Sequence, residues 1–380
     1  MPLHGTALPD FPWDSLTGAK ERAGAHPGGI VDLSVGTPVD PTPAVARHAL
    51  VAAADAPGYP QTAGTPELRT AIVDWFARRR GVTALEPAGV LPTIGSKEAV
   101  ALLPALLELG PGDVVLHPQR AYPTYDVGAR LAGATPRPVD PADPDSWPDD
   151  KRVRLVWLNS PGNPDGHVLG VEQLAAVVTW ARRQGAVVVS DECYAELGWA
   201  EPWASDGVPS LLDPRVCGED PSGLLVLYSL SKQSNLAGYR AALVAGDPAL
   251  VGPMREVRRH AGMILPAPVQ AAMAAALGDD DHVAEQKARY RARRLALLEA
   301  VATAGLEQDP ASVAGLYLWL RSGSASSWEI VDRLAERGIL VAPGSFYGPA
   351  GEGYVRMALT ATDERVQEAV TRLVDGGSLR

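Results

Sequence analysis

The sequence predicts an α/β protein with a mostly parallel central sheet flanked by helices, joined to a smaller α+β domain. Three observations carry this expectation. Short Val- and Leu-rich segments alternate with helical patterns, Pro/Gly turns punctuate them without any long linker, and after about residue 270 the pattern changes to long Ala/Arg/Glu helices. The corresponding division is an N-terminal segment 1–45 that joins the small domain, a large domain 46–270 and a small C-terminal domain 271–380.

The clearest unit is a strand from Val153 to Asn159, a Pro/Gly loop, and a helix from Val171 to about Gln184. In that helix Leu174, Val177, Val178 and Ala181 recur on one face, Gly185 stands where a C-cap is expected, and Ala186–Val189 follows as a continuous apolar strand. Further short strands are expected at Val114–Leu116, Leu224–Tyr228 and Ala242–Ala245, with helices at Glu67–Arg79 and Glu98–Leu109. The small domain should add strands at Leu316–Leu320, Ile339–Ala342 and Tyr354–Ala358. In a parallel sheet covered on both faces, ligands belong at the carboxyl ends of the strands.

Composition narrows the function classes. With 380 residues, 46% of them hydrophobic, the chain can fill one large core or two. It has no run of about eighteen apolar residues, and Met1-Pro2-Leu3-His4-Gly5 lacks the basic start and apolar stretch of a signal peptide, so a cytoplasmic protein is expected. A formal net charge of −11 argues against nucleic-acid or anionic-membrane partners. Cys193 and Cys217 lie in no metal-ligand spacing, so neither a disulfide framework nor a metal site is indicated. Dinucleotide, P-loop and zincin motifs are absent. Lysine is scarce (Lys20, Lys97, Lys151, Lys232, Lys287), which narrows the search for a nucleophilic amine.

Lys232 stands just past an apolar strand in Ser229-Leu230-Ser231-Lys232. It is either a solvated loop lysine or an amine in a desolvated pocket, where a lowered pKa lets it condense with an aldehyde. Two serine hydroxyls and Arg240 around that amine suit a phosphate dianion beside the aldehyde. Asp191, in Ser190-Asp191-Glu192-Cys193-Tyr194 at the end of the Val187–Val189 strand, is either an ordinary strand-end turn residue or a carboxylate that faces a cation. Ile94-Gly95-Ser96-Lys97-Glu98 opens a helix whose first amides, those of Ser96 and Lys97, attract phosphate.

Together these stretches resemble the class-I and class-II aminotransferases of pyridoxal-5′-phosphate (PLP) fold type I, whose signature is S-x-S-K and, after five residues, G-x-R. Ser229, Ser231, Lys232, Gly238 and Arg240 match it in full, and Asp191 lies 41 residues before Lys232, in the family's order. The resemblance implies that Lys232 holds PLP as a Schiff base and shuttles the substrate proton. It makes Asp191 the partner of the pyridinium nitrogen, which keeps the ring an electron sink. Tyr194 and Asn163, the latter in Asn159-Ser160-Pro161-Gly162-Asn163-Pro164-Asp165-Gly166, become donors to the ring oxygen. One serine is inserted after Asn159, so Asn159 matches the family loop less well than Asn163. Gly95, Ser96, Lys97, Ser229, Ser231 and Arg240 form the phosphate site, and Tyr122, in Tyr122-Pro123-Thr124-Tyr125, stacks on the ring.

For the substrate, the resemblance assigns the α-carboxylate to Arg356, in Tyr354-Val355-Arg356-Met357, with Gly36 lending its amide and Asn163 nearby. Read alone, an arginine placed so is usually an edge or surface charge. Tyr59, in the family's Y-x-x-x-x-G-x-x-x-L-R pattern, is expected to reach the neighbouring subunit's phosphate, which implies a homodimer with composite active sites. Within the family the chain is most similar to actinobacterial N-succinyldiaminopimelate aminotransferases, in Phe11-Pro12-Trp13-Asp14, Asp32–Asp40, Gly95–Glu98 and Ala261-Gly262-Met263. Such a substrate has distal carboxylates, for which Lys97, Arg120, Arg258 and Arg259 are candidate cations. The partners are thus amino-acid and 2-oxo-acid substrates. An aminotransferase for alanine or another amino acid, a PLP β-lyase, and a PLP-binding regulator or inactive homologue stay open. The regulator form usually carries a helix-turn-helix domain, whereas the motifs here begin within the first forty residues.

Overall fold

Strands that are apolar along almost their whole length need cover on both faces. Leu224–Ser229, Val187–Asp191 and Val153–Asn159 accordingly occupy the middle of a seven-stranded sheet. The computed structural model describes residues 8–379. Met1–Gly5, on which the signal-peptide reading rests, the start of the 1–45 segment and Arg380 lie outside the described residues.

The strand order is Val90–Ile94, Ala241–Gly246, Leu224–Ser229, Val187–Asp191, Val153–Asn159, Val114–Pro118, Thr135–Val139. Ala241–Gly246 runs antiparallel to both its neighbours, and every other pairing is parallel. The fold class is therefore the expected α/β one. Two strands of this sheet, Val90–Ile94 and Thr135–Val139, were not anticipated, and both are its edges. Each carries proline, Pro92 in one and Pro136 and Pro138 in the other, which weakens the strand signal in sequence yet is tolerated where a ladder has only one neighbour.

Helices cover both faces. Val171–Gln184 buries the predicted Leu174, Val177, Val178 and Ala181, and Gly185 ends it in the left-handed conformation. One face of the sheet packs Trp75, Phe76 and Tyr228, and the other packs Tyr125, Leu155, Trp157 and Val189. The expected helix Glu98–Leu109 is shifted to Ser96–Leu106, because Gly95 caps it and the chain reverses at Glu108, whose φ is 59°.

A four-stranded antiparallel sheet follows, in the order Ala342–Pro343, Tyr354–Ala358, Tyr317–Arg321, Glu307–Gln308. The single strand expected at Ile339–Ala342 is split. Ile339–Leu340 pairs in parallel with Val31–Asp32, and only Ala342–Pro343 joins the antiparallel sheet. Leu33, Leu297, Leu318, Val331 and Val355 pack together in a core on this side. Among the described residues no helix is long and apolar enough to cross a membrane.

Trp157 is fully buried in the strand that ends at Asn159, and its ring lies 5.1 Å from that of Tyr125. Trp157→Ala should therefore destabilise the chain by about 3–5 kcal/mol through lost burial and the cavity left behind. Urea denaturation of the variant beside the parent measures this, and a difference below about 1 kcal/mol would contradict the packing described.

Candidate active site

Parallel strands in register deliver their carboxyl ends to one line. Asn159 pairs with Asp191, and Asp191 with Leu227 two residues before Ser229, so three strand ends open on one cavity of about 430 Å³. Lys232, Ser96, Tyr122, Asn163, Tyr194 and Arg356 join them in its lining.

Lys232 sits on the short helix Leu230–Gln233 directly after its strand, and its ammonium donates to the carbonyl of Gly36. Burial holds the amine's pKa below its usual range; Arg356 and Arg240 push the same way, against Tyr317 and Cys193. Asp191 is buried and accepts from the Tyr125 hydroxyl at 2.9 Å and the Cys193 amide at 3.2 Å. Burial raises the Asp191 carboxyl above its ordinary pKa despite these two neutral donors and the Lys232 charge nearby. A cationic nitrogen beside it would supply the missing counter-charge. Tyr194 is buried, with its hydroxyl 3.3 Å from that of Tyr317, and burial places its pKa well above the ordinary value.

The Asn159–Gly166 loop is shaped by its first residue. Asn159 accepts from the amide of Asn163 at 2.7 Å and donates to the carbonyl of Asp191 at 2.9 Å, so its side chain lines the cavity but serves the backbone. Asn163 accepts from Arg356 Nη1 at 2.8 Å through Oδ1, which leaves its NH₂ group as the one to offer a ligand.

At the other end of the cavity, Gly95 caps helix Ser96–Leu106 with φ 80° and no side-chain bond, so the helix's first amides face outward unsatisfied by a cap. Glycine suits the position, since its φ of 80° strains other residues and a Cβ there would push the Arg240 guanidinium aside. Ser229 Oγ and Ser231 Oγ are 2.7 Å apart beside it. A helix N-terminus, two hydroxyls and a guanidinium fit a phosphate dianion. With an amine of lowered pKa and an unpaired buried carboxylate in the same cavity, the donor set fits PLP.

Arg356 is 2% exposed, and its partners among the described residues are neutral: Asn163, the Ser34 carbonyl at 2.6 Å, the ring of Tyr317 with its centroid 3.9 Å from the guanidinium carbon, and more distantly the rings of Tyr347 and Trp13. Its Nε is buried without a partner. This is a desolvated cation presented to a cavity, not an edge charge. Gly36 was expected to act through its amide; in the structure its carbonyl accepts from the Lys232 ammonium, and a Cβ there would collide with the Tyr317 hydroxyl.

Lys97 lines the cavity rim, its ammonium 5.2 Å from the Phe11 ring centroid and 5.6 Å from that of Tyr122. Arg120, Arg258 and Arg259 do not line it. Arg120 pairs with Asp165 at 3.0 Å, Arg258 is buried against Glu98 at 2.8 Å, and Arg259 projects into solvent 3.8 Å from Glu256. Arg120 and Arg258 are committed to carboxylates elsewhere and Arg259 faces solvent, so none of the three reaches this cavity on the single chain. Tyr59 is fully exposed on the single chain and away from this cavity.

Two contributors were not singled out from the sequence. Tyr125 belongs to the same Tyr-Pro-x-Tyr stretch as Tyr122 and could have been found there. Tyr317 has no such signal, since it reads as one more residue of an apolar strand.

A second cavity of about 370 Å³ lies beyond the Asn159–Gly166 loop. Beside it His167 bridges Asp309, at 3.2 Å, and Asp165, at 3.6 Å, with Arg120 at 3.4 Å. The loop is also tied to this segment through the Gly166 carbonyl, which accepts from Val313 and Ala314.

The family described as "Aminotransferase class I and II" matches residues 29–373 of this chain. The chain is 56% identical over 368 residues to a 4-dedimethylamino-4-oxo-anhydrotetracycline transaminase, OxyQ, of Streptomyces rimosus, covering 96% of this chain and 99% of the relative. It is 56% identical over 372 residues to a protein of Mycobacterium tuberculosis named as a probable aminotransferase, covering 97% and 85%. A solved structure of a "probable N-succinyldiaminopimelate aminotransferase" from Thermus thermophilus is similar with TM-score 0.85 and 29% identity, over 96% of this chain and 100% of that one.

Burial and the Arg120 charge disfavour the charged form of His167, but Asp309 and Asp165 outweigh them and raise its pKa. A raised pKa in the folded state stabilises the fold fully below the unfolded value of about 6.5, and the gain is lost as pH rises through the folded value. His167→Gln should thus lower Tm most near about pH 5.5 and least near about pH 9. A Tm difference that does not change with pH would contradict this assignment.

Proposed function

The chain belongs to the class I and II aminotransferases, enzymes that use PLP, and from that premise we propose that it moves an amino group between glutamate/2-oxoglutarate and the pair N-succinyl-LL-2,6-diaminopimelate/N-succinyl-L-2-amino-6-oxopimelate. The observation that carries the reaction class at the level of this chain's residues is one cavity holding Lys232, Asp191, Arg240 and Arg356.

When bound, PLP supplies an electron sink for the pair of electrons released at the substrate Cα. The residues divide the remaining work. Lys232 would hold the cofactor covalently, and its amine would move the proton at the substrate Cα. Asp191 holds a proton on the ring nitrogen, Tyr194 and Asn163 donate to the ring oxygen, and Tyr122 covers the ring. Gly95, the Ser96 and Lys97 amides, Ser229, Ser231 and Arg240 hold the phosphate, with Tyr59 of a second copy completing it in a homodimer. The full exposure of Tyr59 on the single chain favours that arrangement. Arg356, supported by Asn163 and the Gly36 turn, takes the substrate α-carboxylate. The division 1–45, 46–270 and 271–380 belongs to the same reading; separate packing around the two sheets supports a large and a small part, while helix Ala267–Leu277 crosses the 270/271 boundary and packs in the large-sheet core.

The succinylated substrate is favoured by charge. Among the described lining residues the cations are Lys97, Lys232, Arg240 and Arg356, and three of these have duties at the cofactor or the α-carboxylate. Lys97 remains for a distal carboxylate, and the likeness to the Thermus thermophilus protein points the same way. A second reading rests on OxyQ: Phe11, Trp13 and Tyr122 line the same cavity, and a flat polycyclic ketone would stack on them.

A substrate panel separates the two. The PLP-loaded protein is mixed with succinyldiaminopimelate, glutamate, alanine and an amino-anhydrotetracycline, and loss of its visible absorption is followed. Fastest conversion by succinyldiaminopimelate, with Lys97→Met penalising it more than alanine, is the expected result. Preference for the polycycle would favour the second reading, and preference for alanine would overturn the succinylated one. Borohydride reduction followed by peptide mapping should fix the cofactor at Lys232, and Lys232→Ala should abolish that fixation. Arg356→Ala should weaken amino-acid binding by about 3–5 kcal/mol while PLP is retained.

A further inference from the structure

Tyr317 sits where three groups of the cavity meet, and none of the duties above falls to it. It is 3% exposed, and the face of its ring lies under Arg356, 3.9 Å from guanidinium carbon to ring centroid. Its hydroxyl is 3.3 Å from the Tyr194 hydroxyl. That same hydroxyl occupies the space a Cβ on Gly36 would need, and the Gly36 carbonyl accepts from the Lys232 ammonium. The strand Tyr317–Arg321 pairs antiparallel with Tyr354–Ala358, in a register that sets Trp319 opposite Arg356 and Tyr317 opposite Ala358. Tyr317 and Arg356 are therefore diagonal neighbours across the strands, close enough for a large ring to reach the guanidinium.

We propose that Tyr317 is a positioning residue of the transamination site: its ring face holds the Arg356 guanidinium in line for the substrate carboxylate, and its hydroxyl orients Tyr194. This rests on the aminotransferase reading above. The two roles come from two parts of one side chain. A guanidinium stripped of water and given no carboxylate partner gains from an aromatic face, which fixes its plane without neutralising it. A carboxylate in place of the ring would hold the cation as well but would compete with the substrate for it. The hydroxyl acts differently. A donor to Tyr194 leaves Tyr194 its own proton to give and makes it the stronger donor. Burial favours the neutral phenol at Tyr317, yet the Arg356 and Lys232 charges beside it bring its pKa below the ordinary value. Gly36 then has a steric reason to be glycine, since any side chain there would displace this hydroxyl.

Two substitutions separate the roles. Tyr317→Phe keeps the ring and removes the hydroxyl; Tyr317→Leu removes both. Each PLP-loaded protein is titrated with pH while the visible absorption of the bound cofactor is recorded. Each is then mixed with whichever amino acid converts the parent fastest, and half-saturation and limiting rate are read separately. Tyr317→Phe should leave half-saturation within about twofold while moving the spectral titration to higher pH, because Tyr194 donates less strongly. Tyr317→Leu should raise half-saturation on the order of ten- to thirtyfold with PLP retained, the scale of a desolvated cation–π contact. An unmoved titration in Tyr317→Phe, or a Leu variant that binds amino acids as well as the Phe variant, overturns the joint role. A parent protein whose bound PLP responds to no amino acid overturns the aminotransferase reading and this inference with it.

Discussion

The site is organised by one uncompensated charge. Arg356 is almost completely buried, has no carboxylate partner among the described residues, and is held by a carbonyl, an amide oxygen and aromatic rings. Burying a cation this way is costly unless an anion arrives from outside. Its neighbours come from four distant stretches, Ser34, Asn163, Tyr317 and Tyr347, so satisfying this one guanidinium ties the N-terminal segment, the strand-end loop and the small sheet together. Asp191 is the complementary case, a buried carboxylate with only neutral donors. A ligand with a positive ring nitrogen and an amino acid with a carboxylate would relieve both.

The large sheet supplies the rigidity such a site requires. Five strands have consecutive parallel pairings, and three of their carboxyl ends pass at once into a short structured turn: Asn159 into the proline loop, Asp191 into Tyr194, Ser229 into the helix that bears Lys232. Functional groups on such ends are placed by the hydrogen-bonded ladder rather than by flexible loops. Glycine appears where backbone must be approached closely: Gly95 admits the Arg240 guanidinium and Gly36 admits the Tyr317 hydroxyl.

Much of this was legible beforehand, and the parts that were not share a cause. The central strands and the helix Val171–Gln184 announce themselves because an apolar run or a helical stripe is a local pattern. The edge strands Val90–Ile94 and Thr135–Val139 do not, since their prolines speak against a ladder and only edge placement makes them acceptable. Ile339–Ala342 reads as one strand but serves two sheets, because its two halves find different partners. Lys232, Asp191, Asn163 and Arg240 were named from motifs, and the structure gathers their side chains around one cavity. Arg120, Arg258 and Arg259 read in sequence as candidate cations that are more often ordinary charges, and Asp165, Glu98 and Glu256 stand beside them in the structure.

What the sequence by itself determined is the fold class, the order of the central strands' residues and the chemical types that could hold a phosphate, a cationic ring and a carboxylate. These are properties of neighbours along the chain: period, turn chemistry, and the clustering of hydroxyl, amine and carboxylate at strand ends. What only the tertiary structure decided is which charges are spent and which are free, that Tyr125 braces Asp191, that Tyr317 lies between Arg356 and Tyr194, and that Lys97 faces the cavity while Arg258 does not. The reason is physical: pKa, pairing and access depend on burial and on groups within a few ångströms, and residues a hundred or more positions apart become such neighbours only when the chain folds.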